Sequence, residues 1–270
     1  MKKKHLKMAA LVAALALIVG LCLFANALVG NPVSKALAAR AAKARMTAQY
    51  PTYTLEEVTY SFKDGNYYAH LTDPNQIDGD FSMAFTGGGK LLWDSYEDRV
   101  LSGENTRSRL SMAYRDMVDA VLEGPSNPLP VDFGYGDLEC WSREAAANED
   151  CPPYALITED LTVNGTYDVR ALGAQAGHLV YYLQEESPSL ERLAHWLLEI
   201  RRMMDEAGVP FVDIDLSLRY LRDENDRRPH SDLYVLHFLY EEIYEEGLLE
   251  RVKAANADAI AYYAELDKLK

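Results

Sequence analysis

Between Lys7 and Asn31 the chain holds an uninterrupted apolar run, Met8 to Gly30, whose only polar side chain is Asn26. At ~1.5 Å per residue a helix over those residues reaches roughly 34 Å, enough to cross a hydrocarbon core of about 30 Å. Past it, Leu37, Ala41, Ala44 and Ala48 recur at helical spacing behind Ser34, a good N-cap, and Tyr50-Pro51 stops the pattern. The period then drops to two: Val58, Tyr60 and Phe62 alternate, as do Tyr67, Ala69 and Leu71, then Phe81, Met83 and Phe85. Asp64-Gly65-Asn66 and Gly87-Gly88-Gly89 read as the turns between these strands, and Leu91 to Trp93 adds a fourth. Leu110, Tyr114, Met117 and Val121 restore helical spacing and predict a helix over 106–122.

Pro125, Pro128 and Pro130 then read as a stiff linker. Leu161-Thr-Val163 and Tyr167-Asp-Val169 flank Asn164-Gly165-Thr166, a hairpin signal, and residues 178–183 predict a strand. Ser187-Pro188 caps a helix over 189–206, buried through Leu190, Leu193, Leu197, Ile200 and Met204. Val212, Ile214, Leu216 and Leu218 alternate as a strand, with Tyr234, Leu236 and Phe238 as its partner. A final helix carries Leu248, Val252, Ala255, Ala259 and Leu266. The expected class is α+β: a cytoplasmic start and anchor over 1–30, a helix–meander–helix domain over 31–124, a linker over 125–130, and a second α+β domain over 131–270. Each sheet is expected to be antiparallel and packed with helices.

Charge changes this picture more than composition does. The 270 residues carry 27 Lys+Arg against 42 Asp+Glu, a net −15 that speaks against a nucleic-acid partner. Residues 1–55 hold eight basic residues and no acid, so from Glu56 onward the chain is at −23. Lys2, Lys3, Lys4 and Lys7 fit a cytoplasmic start, although Lys35, Arg40, Lys43 and Arg45 follow the far end. Ala25-Asn26-Ala27 has the form of a signal-peptidase site, but the run before it exceeds the usual ~7–15 residue signal core, which favours a retained span. Three cysteines are too few for a disulfide scaffold. Cys140 and Cys151 enclose ten residues and form a candidate bridge if the domain is extracytoplasmic.

Candidate chemistry is sparse. Asp73, Asn75, Asp78 and Asp80 are the densest cluster of oxygen ligands and the candidate metal site, but their spacing is not that of an EF-hand, and the bland expectation is a polar turn. Asp213 and Asp215 share one strand face and could serve acid–base work or a metal; the alternating Val212, Ile214, Leu216 and Leu218 imply instead that this is the solvated face. Gly87-Gly88-Gly89-Lys90 lacks the spacing of a phosphate loop. His178, His195, His230 and His237 have no short-range partner; a zinc or nucleophilic site would need a convergence that the sequence does not show, and the expectation is ordinary core or surface histidines. The pairs Tyr67-Tyr68, Tyr181-Tyr182 and Tyr262-Tyr263 suit a glycan or peptide groove as well as they suit strands and small cores.

Several segments together resemble the YfjL-like family: Gly30-Asn-Pro-Val-Ser-Lys-Ala36, Val58-Thr-Tyr-Ser-Phe-Lys-Asp-Gly-Asn-Tyr67, Asp94-Ser-Tyr-Glu-Asp-Arg-Val100, and Asn105-Thr106 with Arg109 and Tyr114. Phe211-Val-Asp-Ile-Asp215 and Phe238-Leu-Tyr-Glu-Glu-Ile243 extend the likeness more loosely. The resemblance implies a membrane-anchored envelope protein of Gram-positive bacteria, with no catalytic residue and no cofactor to carry over. The expected function is a non-catalytic extracytoplasmic module that binds an envelope protein or polymer. The alternatives are an extracytoplasmic enzyme acting on peptide or glycan, or a cation-responsive sensor.

Overall fold

A computed structural model describes residues 2–125, 127–222 and 232–268. The apolar run up to Val29 lies within one helix, α1 (Lys2–Val29), and among its described side chains Leu11, Val12, Leu17 and Phe24 are each more than 60 % exposed. It is long and apolar enough to cross a membrane, a property that a signal sequence shares.

The chain divides into two units at Asn105/Thr106. In the first, α2 (Pro32–Gln49) lies against an antiparallel meander of β1 (Thr54–Ser61), β2 (Asn66–Thr72), β3 (Phe81–Phe85) and β4 (Leu91–Asp94). The period-two reading holds in detail. Val58 pairs with Ala69 and Ala69 with Met83, Tyr67 pairs with Phe85 and Leu71 with Phe81, and all these side chains are buried. Phe62 is the exception, exposed beyond the end of β1. The cap of α2 is Asn31, not Ser34: its side chain accepts from the backbone N–H of Val33 and Ser34, with Pro32 opening the helix. The buried stripe is likewise rotated to Ala38 and Ala42, because two alanines allow the helix to approach the sheet closely while Leu37 points outward. Arg45 is tied to Asp94 of β4 at 2.7 Å.

The second unit begins with most of α3 (Glu104–Leu122) and continues through β5 (Val131–Leu138), β6 (Cys140–Trp141), α4 (Arg143–Asn148), β7 (Leu156–Ile157) and α5 (Val169–Ala176). It ends with β8 (Gly177–Glu185), α6 (Leu190–Ala207), β9 (Asp213–Tyr220), β10 (Leu233–Leu239) and α7 (Leu248–Lys268). Its main sheet runs β10-β9-β8-β5 and is mixed, not antiparallel. β8 and β9 are parallel, joined by α6 as a crossover helix. The expected hairpin around Asn164-Gly165 is a turn without flanking strands, and Asp168 caps α5 where the second strand was expected. The sequence pattern placed α3 in the first domain and a linker at 125–130. Instead, Leu110, Tyr114 and Val118 lie in the core of the second unit with Leu179, Tyr181 and Leu216.

α6 follows its sequence pattern closely. Its cap is Ser189 and not Ser187-Pro188, Gly208 ends it in the left-handed conformation (φ +64°), and Leu193, Leu197, Ile200 and Met204 are fully buried, worth about 1.5–3 kcal/mol each. At its start, Glu185 accepts from Arg192 Nη2 at 2.5 Å and from Trp196 Nε1 at 2.8 Å. Burial alone would raise the Glu185 pKa, but these two donors outweigh it and hold the carboxyl below its ordinary value. The interaction is therefore present at pH values above the unfolded-state pKa, about 4.3, and is lost as pH falls through the lower folded value. Glu185→Gln should cost about 1.5 kcal/mol at pH 7, the low end for hydrogen bonds to a charged group because Arg192 is 43 % exposed, and much less at pH 3. Urea midpoints at the two pH values check this; an equal loss at both would rule out the charge as the cause.

Candidate functional site

The four-stranded sheet of the second unit presents two unlike faces. Leu179, Tyr181 and Leu183 of β8 and Ile214, Leu216 and Leu218 of β9 point into the core. By strand alternation the other face carries His178, Val180 and Tyr182 beside Asp213, Asp215 and Ser217, since the parallel register sets His178 against Asp213 and Val180 against Asp215. β10 completes the face through a bulge: Val235 pairs with Leu216 and Phe238 with Ile214, so Leu236 and His237 together stand opposite Asp215. His237 takes the left-handed conformation there (φ +47°), uncommon for a residue with a Cβ. The alternation read from Tyr234, Leu236 and Phe238 breaks at this bulge, and Val235 and Phe238 are the buried residues.

Four groups converge at the bulge. Asp213 is fully buried, not solvated as its place in the sequence pattern implied. One of its carboxylate oxygens contacts His178 Nδ1 at 3.0 Å and the other contacts His237 Nδ1 at 2.7 Å. The two rings are tilted by 34° with centroids 5.3 Å apart. Asp215 Oδ1 accepts from the His237 backbone N–H at 2.7 Å, and its Oδ2 stands 3.8 Å from His178 Nε2. Burial would raise the Asp213 pKa, but the two imidazoles lower it to about 2. The hydrogen bond to Asp213 raises His237 to about 9. His178 is also raised, because Asp213 and Asp215 outweigh the burial that acts against its charged form. Tyr154, which sequence reasoning did not single out, lies against Asp213, its phenol pushed up by burial and by that carboxylate.

Among the described residues, His178, Asp215 and His237 are the group of imidazoles and carboxylates able to hold a metal, one ligand atom from each lying within 4.8 Å of the others. Asp215 and His237 also line a cleft of about 690 Å³ with Trp141, Asp258, Tyr262 and Tyr263. A neighbouring hollow of about 350 Å³ shares Asp215 and Tyr263 and adds Tyr182, Tyr234 and Arg219, whose guanidinium stacks 3.8 Å above the Tyr182 ring. Tyr262 and Tyr263 are open to solvent, whereas Tyr67 and Tyr181 are core residues.

The other candidates lie elsewhere. The Asp73 carboxylate accepts from the Asn75 backbone and side chain and from Gln76, while Asn105 donates to the backbone carbonyls of Asp78 and Asp80. The triglycine joins β3 to β4 as a turn. Cys140 and Cys151 are half-buried thiols. His195 lies on α6 beside Trp196, and His230 falls outside the described residues. A low-separation motif search could not have found the site, because its members sit 35, 24 and 22 positions apart.

Comparison with known proteins gives two matches. The family model of the YfjL-like N-terminal domain matches residues 3–95, and that of the YfjL-like C-terminal domain matches residues 113–253. No curated protein and no solved structure matches the chain.

Proposed function

The chain belongs to the YfjL-like family, and from that premise we propose that it is a membrane-anchored binding module of the cell envelope, non-catalytic, with both units outside the cytoplasm. The observation that carries the reading is the uncovered apolar length of α1, followed at once by a folded unit. The lysines before it support a cytoplasmic N-terminus. The binding surface is the cleft, where Trp141, Tyr262 and Tyr263 offer aromatic faces with polar tips beside Asp215 and Asp258. In cell fractionation the protein should sediment with membranes and keep its N-terminal residues, and protease added to intact protoplasts should digest both units. Soluble protein beginning at Leu28, or full protection from protease, would overturn the anchor. A photoreactive residue at position 262 should crosslink to an envelope component in the native membrane, and no adduct would count against the cleft.

An extracytoplasmic position also bears on Cys140 and Cys151. Oxidation would close a short loop and stabilise by ~3 kcal/mol on the chain-entropy model. Alkylating the unreduced, denatured protein should then label Cys22 alone. Labelling at all three cysteines would end the bridge.

A second reading, an enzyme acting on peptide or glycan, is favoured by the convergence of Asp213 and Asp215 with His178 and His237. Turnover of such a substrate by purified protein, abolished by Asp215→Asn, would replace the first reading with this one.

A further inference from the structure

We propose that His178, Asp215 and His237 bind a divalent transition-metal ion of the zinc class, with Asp213 as the buried carboxylate that orients both imidazoles. The inference stands on the geometry of the second unit and is independent of whether the chain is anchored. Each oxygen of Asp213 holds one imidazole by Nδ1, at 3.0 and 2.7 Å, which fixes both rings and leaves the two Nε2 atoms as the available donors. A carboxylate behind a metal-binding histidine does this in many metal sites, and here one carboxylate serves two.

Asp215 is held in the same manner, Oδ1 on the His237 backbone N–H and Oδ2 facing His178 Nε2 at 3.8 Å. That separation is beyond hydrogen-bond reach, so the two atoms face one another without bonding. Ligand atoms on one tetrahedral ion stand about 3.3 Å apart when each bond is 2.0–2.1 Å. One ring nitrogen of each histidine and one Asp215 oxygen lie within 4.8 Å of one another, a spread that closes on an ion through movements of roughly 1 Å. The bulge and the left-handed backbone of His237 belong to the same construction, since without the extra residue His237 would not return to Asp213.

Two imidazoles and one carboxylate suit Zn²⁺, Co²⁺, Fe²⁺ or Mn²⁺, while Ca²⁺ and Mg²⁺ favour shells of oxygen. Three protein ligands leave a coordination position for water or a bound ligand. Asp215 and His237 line the aromatic cleft, so that position can be approached from it.

The test uses full-length protein in detergent, stripped with a chelator and returned to metal-free buffer. One equivalent of Co²⁺ should produce visible ligand-field absorption that Zn²⁺ displaces. Zn²⁺ should raise the melting temperature, and Mg²⁺ and Ca²⁺ at the same concentration should not. His237→Asn is chosen because asparagine tolerates the left-handed backbone, and Asp215→Asn because it keeps the acceptor for the His237 N–H. Both should weaken binding at least tenfold, and Asp213→Asn, a positioning change, by about 10–100-fold. His195→Asn should bind as the parent does. Melting each variant without metal establishes that it is folded, and either ligand variant suffices if the other is not. Absence of both the Co²⁺ absorption and the Zn²⁺ shift in the parent would leave Asp213 as a plain ion-pair hub and overturn the proposal. Undiminished binding in His237→Asn and Asp215→Asn would overturn it equally, by placing the ion elsewhere.

Discussion

Replacing Tyr114 with alanine is expected to destabilise the second unit by about 3–5 kcal/mol, the range for removing a fully buried aromatic ring from a core that cannot collapse around the gap. Tyr114 is completely buried on α3, and its hydroxyl donates to the Pro210 carbonyl at 2.8 Å. The chain has shaped itself around this ring. A Cβ on Gly173 or on Gly177 would approach it to 2.5 Å, so both positions must lack a side chain for Tyr114 to seat. Tyr114→Phe keeps the ring and forfeits only the hydrogen bond, which predicts a smaller loss of about 1 kcal/mol. Urea denaturation of each variant against the parent separates the two contributions. Equal losses for the two variants would show that the hydrogen bond, not the packed ring, carries the effect.

Asp213→Ala should cost a similar amount, about 3–5 kcal/mol in metal-free protein, for an electrostatic reason. The carboxylate is fully buried and holds an imidazole on each oxygen, so its removal leaves the His178 ring, 11 % exposed, desolvated without its partner, while His237, 55 % exposed, can turn to water. Removing one partner of a buried pair is expensive because the other remains desolvated. Asp213→Asn keeps the shape and one acceptor oxygen and should cost less than half as much. Chemical denaturation in the presence of a chelator measures both. A loss below about 1 kcal/mol for the alanine variant would mean that water takes over the imidazoles at little cost and that Asp213 contributes little to stability.

Tyr114 and Asp213 also mark the limit of what could be read along the chain. The helical spacing places Tyr114 on an apolar stripe, yet the stripe does not say which sheet receives it. The prolines at 125, 128 and 130 suggested a boundary, and the partner proved to be the sheet beyond them. The two-residue spacing of Asp213 and Asp215 puts them on one strand face. Period-two alternation separates two faces but cannot tell whether the second is open to water or covered, and here Asp213 is covered.

What the sequence determined by itself are the features set by neighbours in the chain. The apolar run that forms α1, the strands and glycine turns of the meander, and α6 between Ser189 and Gly208 all follow from side-chain periodicity and local backbone preference, which act within a few residues. Tertiary structure alone decided the site. Parallel pairing of β8 with β9, with α6 carrying the chain back over the sheet, sets His178 beside Asp213 across 35 residues, and an antiparallel pairing would have given a different neighbour. One extra residue in β10 then turns His237 toward the same carboxylate. Strand direction, register and bulges depend on how remote segments pack over a shared core, and that information is distributed across the whole second unit instead of residing in any stretch of its sequence.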